Sequence, residues 1–570
     1  MDRRSVLKLA AGVAAVDLAA AGQAPAQPSS IQGRGRSDLD YRPVLDRLSA
    51  FAQAHLKVYG LPGMTLGVVD ADGFAAHFQL GWADVEQRIP VGPDHLFQIG
   101  SISKAFASIC LFQSLGVQGL ERPVAGFLPT IPLPPKPKIT VRHLLTHSAG
   151  LPDDAPFFPR TPDGKLWYGF APGSSSSYSN TGYGLAGLIV EQQDRQRDYA
   201  ASVKARVFDA LGMGASIAAL RTTDRARYAV GYQPYYNDRG LPRRGRLGAA
   251  PWTEFQEASG SIGSTARDMN RYLAWLIAAG RGRGAPLMPD GAATLFTTPQ
   301  VKAPYFNPEA QYAFGLAVTP VEGRACLHHT GGMVAFSSSF HVDAPAGAGC
   351  FASTNASIQD YRPRQITAYA VMLLRALRDG RPLPPPPPVD TGEAIADAAD
   401  YAGRYVGPGG KDLAIEADAG GLLVRTRGVA GALQRKGKDV FLADHPDLRL
   451  ALLVFDRPKS GGRPDQVWYG GDAYALDPAR AAQALPEGLA AYAGRYDNDD
   501  PWRGTVRVFA RPDGLYVDGV SPLVKIGPEL WRVGAEADGC ERVRFDAWVN
   551  GRPTRLNVSG VDFLRRWDEA

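Results

Sequence analysis

At 570 residues the chain is too long for one hydrophobic core, and about 150 residues per domain divides it into about three or four units. Its 45% hydrophobic and 21% charged content is that of an ordinary soluble globular protein. A net charge of +5, from 62 basic and 57 acidic residues, lacks the dense basic stripe of a nucleic-acid binder and selects no charged partner.

Residues 1–26 read as an address. Arg3-Arg4 precedes an apolar stretch to about Ala21, and Ala24-Pro25-Ala26 supplies small residues for cleavage, the pattern of a twin-arginine export signal. The apolar stretch is short and carries Asp17, so it is a poor membrane span. No cysteine follows it for a lipid anchor, and the expected location is periplasmic or secreted. The four cysteines, Cys110, Cys326, Cys350 and Cys540, form no closely spaced framework and are expected as buried thiols.

Residues 40–378 read as one mixed α/β region. Met64 to Val69 and Phe74 to Leu80 form a hairpin around the turn 70–73. A helix runs from Ser101 to about Leu115, with Ile102, Phe106, Ile109 and Phe112 on its apolar face. Further on come a helix over 268–279, strands near 312–319, 325–329, 337–342 and 350–354, and a helix over 365–377. Strands at both ends with helices between them imply an α+β domain, an antiparallel sheet flanked by helices.

Five consecutive prolines, Pro384 to Pro388, lie within a stiff linker over 379–398 that joins no helix or central strand. Behind it the sequence repeats itself. Tyr401-Ala402-Gly403-Arg404-Tyr405 recurs as Tyr492-Ala493-Gly494-Arg495-Tyr496, and three later pairs keep offsets of 93, 90 and 89 residues. Alternating short strands and turns such as Asp513-Gly514 and Asn550-Gly551 make each module, 399–484 and 488–570, a small antiparallel lipocalin-like barrel.

Three short strings carry the chemistry. Ser101-Ile102-Ser103-Lys104 puts a hydroxyl and an amine three residues apart, on one face of a helix start. A serine hydroxyl needs a base within reach, and burial would have to depress the lysine for it to accept a proton. Tyr178-Ser179-Asn180 ends a loop of turn-formers, where a phenol can handle the same proton and an amide can meet a substrate carbonyl. His329-Thr330-Gly331-Gly332 reads as a strand end whose glycines admit a ligand, with the N–H of Gly332 able to join that of Ser101 as an oxyanion hole.

Together with 139–152, Gly182-Tyr183 and 263–268, these strings resemble the penicillin-recognising serine hydrolases. That group includes class C β-lactamases, D-alanyl-D-alanine carboxypeptidases, D-aminopeptidases and esterases of one fold. The resemblance implies a nucleophile at Ser101 and proton handling by Lys104 and Tyr178. It implies substrate and oxyanion contacts at Asn180, His329, Thr330, Gly331 and Gly332, and an antiparallel sheet with a helical subdomain. The tail is similar to the three-domain layout of D-aminopeptidases. β-Lactamases usually carry lysine where this chain has His329, and a mostly neutral imidazole weakens a carboxylate anchor. The expected substrate is therefore a small peptide with small or D-configured residues, with an ester or a β-lactam as the alternative.

No cofactor is expected. His143 and His147 stand at a zinc-binding spacing, but no glutamate lies between them, and packed capping roles are favoured over a metal. A second functional class is a binding protein that is acylated and never turns over. The loops over 153–167 and 232–252 are expected to shape the pocket.

Overall fold

The computed structural model describes residues 30–567, apart from 237, 239–244, 359–360, 459–460 and 482–483. The export signal expected over 1–26 lies outside the described residues. The chain forms two compact units. One comprises residues up to Glu121, Ala186–Tyr235 and Arg244–Pro387; the other comprises Arg122–Leu185, Tyr236–Arg243 and Pro388–Ala570.

The first unit is built on a ten-stranded sheet. Its central strands run in the order Ala75–Asp84, Gly63–Asp70, Ala348–Thr354, Phe336–Asp343, Arg324–Met333, every neighbour antiparallel. Strands Gly63–Asp70, Phe336–Asp343 and Ala348–Thr354 are buried along their whole length, so both faces are covered. Along Phe336–Asp343 the alternation of side chains sorts the covers. Phe340 meets Tyr272 of helix Ala266–Ala279 edge-on, at 6.3 Å between ring centroids. Ser339, His341 and Asp343 face helix Arg364–Arg378, where Thr367 takes the two former and Arg375 pairs with Asp343 at 2.6 Å.

Two expected elements differ in informative ways. The strand expected over 312–319 is broken into Gln311–Tyr312 and Ala317–Val321. Between them Gly315 adopts φ +82°, and a Cβ there would stand 2.7 Å from the backbone N of Ala105. Close passage of one backbone past another outranks strand continuity at that point. The helix expected from Ser101 begins as a 3₁₀ turn, Gly100–Ser103, and becomes α-helical at Lys104–Gly119. Every residue from Lys104 to Phe112 is buried, so this is a core helix rather than one with a single apolar face.

The proline stretch docks on its own unit. Arg47 Nη1 donates to the Leu383 and Pro384 carbonyls at 2.9 Å each, and Tyr369 OH donates to the Pro384 carbonyl at 2.9 Å.

The second unit holds two closed barrels of eight antiparallel strands, Gly403–Val406 to Asp472–Ala475 and Gly494–Asp497 to Val561–Arg565. Closure leaves neither sheet an open edge. The repeat has a structural counterpart. Tyr405 OH donates to the Tyr401 carbonyl at 3.0 Å, and Tyr496 OH donates to the Tyr492 carbonyl at 2.8 Å. Both barrels are filled by side chains, Tyr405, Phe441 and Phe455 in one and Tyr496, Trp531 and Phe545 in the other. The turn Asn550-Gly551 takes positive φ at both residues, as a tight hairpin requires. All four cysteines are free and buried, and burial pushes the Cys110 thiol up to about 12. They are inert thiols.

Candidate active site

In the first unit, Ser101, Lys104 and the strand Arg324–Met333 come together. Lys104 has no exposed surface. Its Nζ donates to Ser101 Oγ at 3.1 Å and to the Ser259 carbonyl at 2.8 Å. A buried ammonium is costly unless its protons are used. The Ser259 carbonyl occupies one of them and fixes the amine toward the half-buried hydroxyl. Ser259 was not legible in the sequence, because it acts through its backbone and carries no side-chain signature.

The glycine string lies inside the strand, not beyond its end. Arg324–Met333 continues through Gly331 and Gly332, which pair with Ser338 and Ser337. The ladder with Phe336–Asp343 carries the strand on, and the neighbouring turn accounts for the glycines. Gly100 has φ +56°, and a Cβ on it would lie 2.7 Å from the backbone N of Gly332. The N–H of Gly332 thus stands beside the residue that precedes Ser101. Thr330 is half-buried and pairs with Ser339.

His329 is buried and hydrogen-bonds Tyr312 OH through Nε2 at 3.0 Å, while Nδ1 lies 2.6 Å from the Thr330 carbonyl. Burial first, and the Lys104 charge second, push it down to about 3. It is neutral at pH 7 and supplies no cation. A guanidinium does stand nearby. A Cβ on Gly332 would collide with Arg362, whose Nη1 donates to the Tyr361 carbonyl at 2.8 Å. Arg362 was missed because no motif surrounds it. His328, expected on the other face of the strand, stacks on His341 with ring centroids 4.0 Å apart.

These rings make a pH prediction. Burial holds His55 down to about 4 and His341 down to about 3, as it does His329. Unfolded, each would protonate near pH 6.5, so between those values the unfolded chain binds more protons and stability rises with pH. The protein is expected to lose thermal stability on acidification from pH 6.5 toward 4, by about 1.4 kcal/mol per pH unit for each such ring. Thermal melts of the protein and of His341→Gln check it; the variant should show the shallower slope, and equal slopes would contradict the assignment.

In the second unit, His147 organises the Tyr178 loop. Its Nδ1 accepts the Ser179 N–H at 3.1 Å, its carbonyl accepts the Ser177 N–H at 2.9 Å, and its ring packs 4.3 Å from that of Tyr178. Ser179 closes the first turn of helix Asn180–Gln193, accepting the Gly182 N–H at 2.9 Å. Asn180 donates from Nδ2 to Asp153 Oδ1 at 3.0 Å, a partner the sequence did not suggest. His143 caps helix Val141–Leu145 in a reciprocal pair with Thr140, the packed role expected of it. Among the described residues no cluster of His, Cys, Asp or Glu could hold a metal ion.

The structure thus places a fully buried lysine against a half-buried serine, beside a glycine-bearing strand of a helix-covered antiparallel sheet. The Beta-lactamase family model matches residues 48–374, and the chain belongs to that family, whose members are serine hydrolases. It is 29% identical over 232 residues to a Beta-lactamase of Yersinia enterocolitica, covering 38% of this chain and 55% of that one. It is 28% identical over 305 residues to a D-aminopeptidase of Gluconobacter oxydans, covering 50% of this chain and 54% of that one. The chain spans about half the length of these curated relatives. The structure of the octameric penicillin-binding protein homologue from Pyrococcus abyssi shares the fold, with a TM-score of 0.54, 23% identity, and 76% of this chain and 98% of that chain covered.

Proposed function

We propose that the protein is a serine hydrolase that cleaves amide bonds of short peptides with small or D-configured residues, through an acyl-enzyme on Ser101. The observation that carries this reading is the Ser101 Oγ–Lys104 Nζ hydrogen bond of 3.1 Å on a lysine with no exposed surface. As Oγ attacks the carbonyl, its proton passes to the basic pair to which the family motif assigns Lys104 and Tyr178. The oxyanion rests on the N–H groups of Ser101 and Gly332. The C–N bond then breaks, the amine leaves with the proton, and water releases the acyl group. Asn180 is assigned to the substrate's amide, and His329, Thr330 and Gly331 to the wall of the acyl site.

Similarity to a D-aminopeptidase and the neutral, buried His329 favour an aminoacyl substrate without an obligatory carboxylate. One observation favours a second reading. Arg362 beside Gly332 offers a cation to a substrate carboxylate, as a β-lactam would present. Export to the periplasm or medium goes with either reading and rests on Arg3-Arg4 and the small residues before Gln27. Among the described residues no helix is long and apolar enough to cross a membrane.

The test is a panel of D- and L-aminoacyl p-nitroanilides, short peptides, p-nitrophenyl esters and a chromogenic cephalosporin. The D-aminoacyl compounds are expected to give the highest kcat/KM. A cephalosporin turned over fastest would transfer the assignment to the second reading.

A further inference from the structure

Besides His147, a second residue ties down the loop that ends in Tyr178 and Asn180. Asp153 is its hub. One side-chain oxygen, Oδ1, accepts both the Asn180 N–H at 3.1 Å and Asn180 Nδ2 at 3.0 Å. Its carbonyl accepts the Thr181 N–H at 2.7 Å and the Thr181 hydroxyl at 3.1 Å. Next to it, the Pro152 carbonyl accepts Ser179 Oγ at 2.7 Å. Any shift of Asp153 therefore reaches Asn180 and Thr181, the first two residues of helix Asn180–Gln193.

The group that fixes Asp153 comes from the second barrel. The Asp153 N–H donates to Glu541 Oε1 at 2.7 Å, across 388 residues of sequence, and Ser559 Oγ donates to Glu541 Oε2. Both carboxylate oxygens are thus used by the protein. Burial pushes the Glu541 carboxyl up, while these two donors pull it back toward the ionised form. The same barrel holds the rest of the loop. Trp167 Nε1 donates to the Cys540 carbonyl at 2.8 Å under Arg542, whose guanidinium stands 5.0 Å from the ring. Ser175 donates to Asp538 at 2.9 Å, and Arg160 pairs with Asp562 at 3.0 Å.

Docking a barrel onto a loop does not need a buried carboxylate. An apolar side chain of similar volume would cover the same surface without the desolvation cost. A carboxylate adds direction: a fixed acceptor for one backbone N–H. We infer that Glu541 is a positioning residue for the proposed reaction, acting through Asp153 to set the orientation of the Asn180 side chain. This rests on the assignment of Asn180 to substrate binding. The second barrel then supplies a fixed support for the segment that carries Asn180.

A double-mutant cycle on the full-length chain tests it, with a D-aminoacyl p-nitroanilide as the probe, because its amide is the group that Asn180 is assigned to meet. Glu541→Ala is expected to lower kcat/KM about tenfold and Asn180→Ala about a hundredfold, with the double variant no worse than Asn180→Ala alone. Glu541→Gln, which keeps an acceptor for the Asp153 N–H, is expected to recover activity to within about threefold of the parent. Glu541→Asp retains the charge but falls short by one methylene, and should lose as much as the alanine variant; it substitutes if that variant does not fold. Losses that multiply in the double variant, or a glutamine variant as poor as alanine, would overturn the inference. Failure of the underlying reading is seen separately, as Ser101→Ala retaining hydrolysis of the same probe.

Discussion

Ser101→Ala is expected to lower kcat/KM by about 10⁴-fold or more while leaving the fold in place. The side chain is half-buried in a 3₁₀ turn, Gly100–Ser103, and the substitution removes a single oxygen. Lys104 keeps its hydrogen bond to the Ser259 carbonyl, so no buried cation is left without an acceptor. The cost in stability should stay within about 1 kcal/mol. Turnover of the best substrate and a thermal melt, taken together, check the expectation. A variant that keeps more than about one tenth of the parent rate would place the nucleophile elsewhere.

Lys104→Met separates a catalytic lysine from a structural one. If the amine moves the Ser101 proton, its loss lowers kcat by about 10³-fold, within the range for positioned acid–base groups. Two opposing terms set the stability change. Removing the amine leaves the Ser259 carbonyl without this donor, at about 1–3 kcal/mol. It also removes a fully buried ammonium, whose desolvation costs several kcal/mol, and methionine refills most of the volume. Carbonyls tolerate poor satisfaction better than buried charges do, so desolvation wins. The expected result is an unchanged or raised melting temperature with activity nearly lost. A lysine kept for structure would give the reverse, a lowered melting temperature and near-parental turnover.

Local signals made much of this molecule legible. The Tyr-x-x-x-Tyr repeat announced two copies of one barrel because each tyrosine pair makes the same short-range hydrogen bond. Ser101 and Lys104 were readable because three residues span one helical turn, which brings them within hydrogen-bond reach even though the turn is 3₁₀. What stayed hidden depends on contacts between distant segments. The break at Gly315 follows from the backbone at Ala105, and no window around 312–319 contains that information. Tyr312 as the partner of His329 depends on the order of strands in the sheet. Glu541 and Asp153 have no shared periodicity or motif at all. His147 was recognised as a packed residue, but its particular task, holding the Tyr178 loop, depends on a positive φ and on a segment about thirty residues away.

The central claim is a covalent bond to one oxygen, and mass spectrometry of the enzyme during turnover addresses it most directly. The protein, quenched in acid while hydrolysing a D-aminoacyl ester or amide, should gain the mass of the acyl group. After digestion that mass should map to Ser101. Steady turnover with no acylated protein in rapid-quench samples, or an adduct on any other residue, would contradict the account.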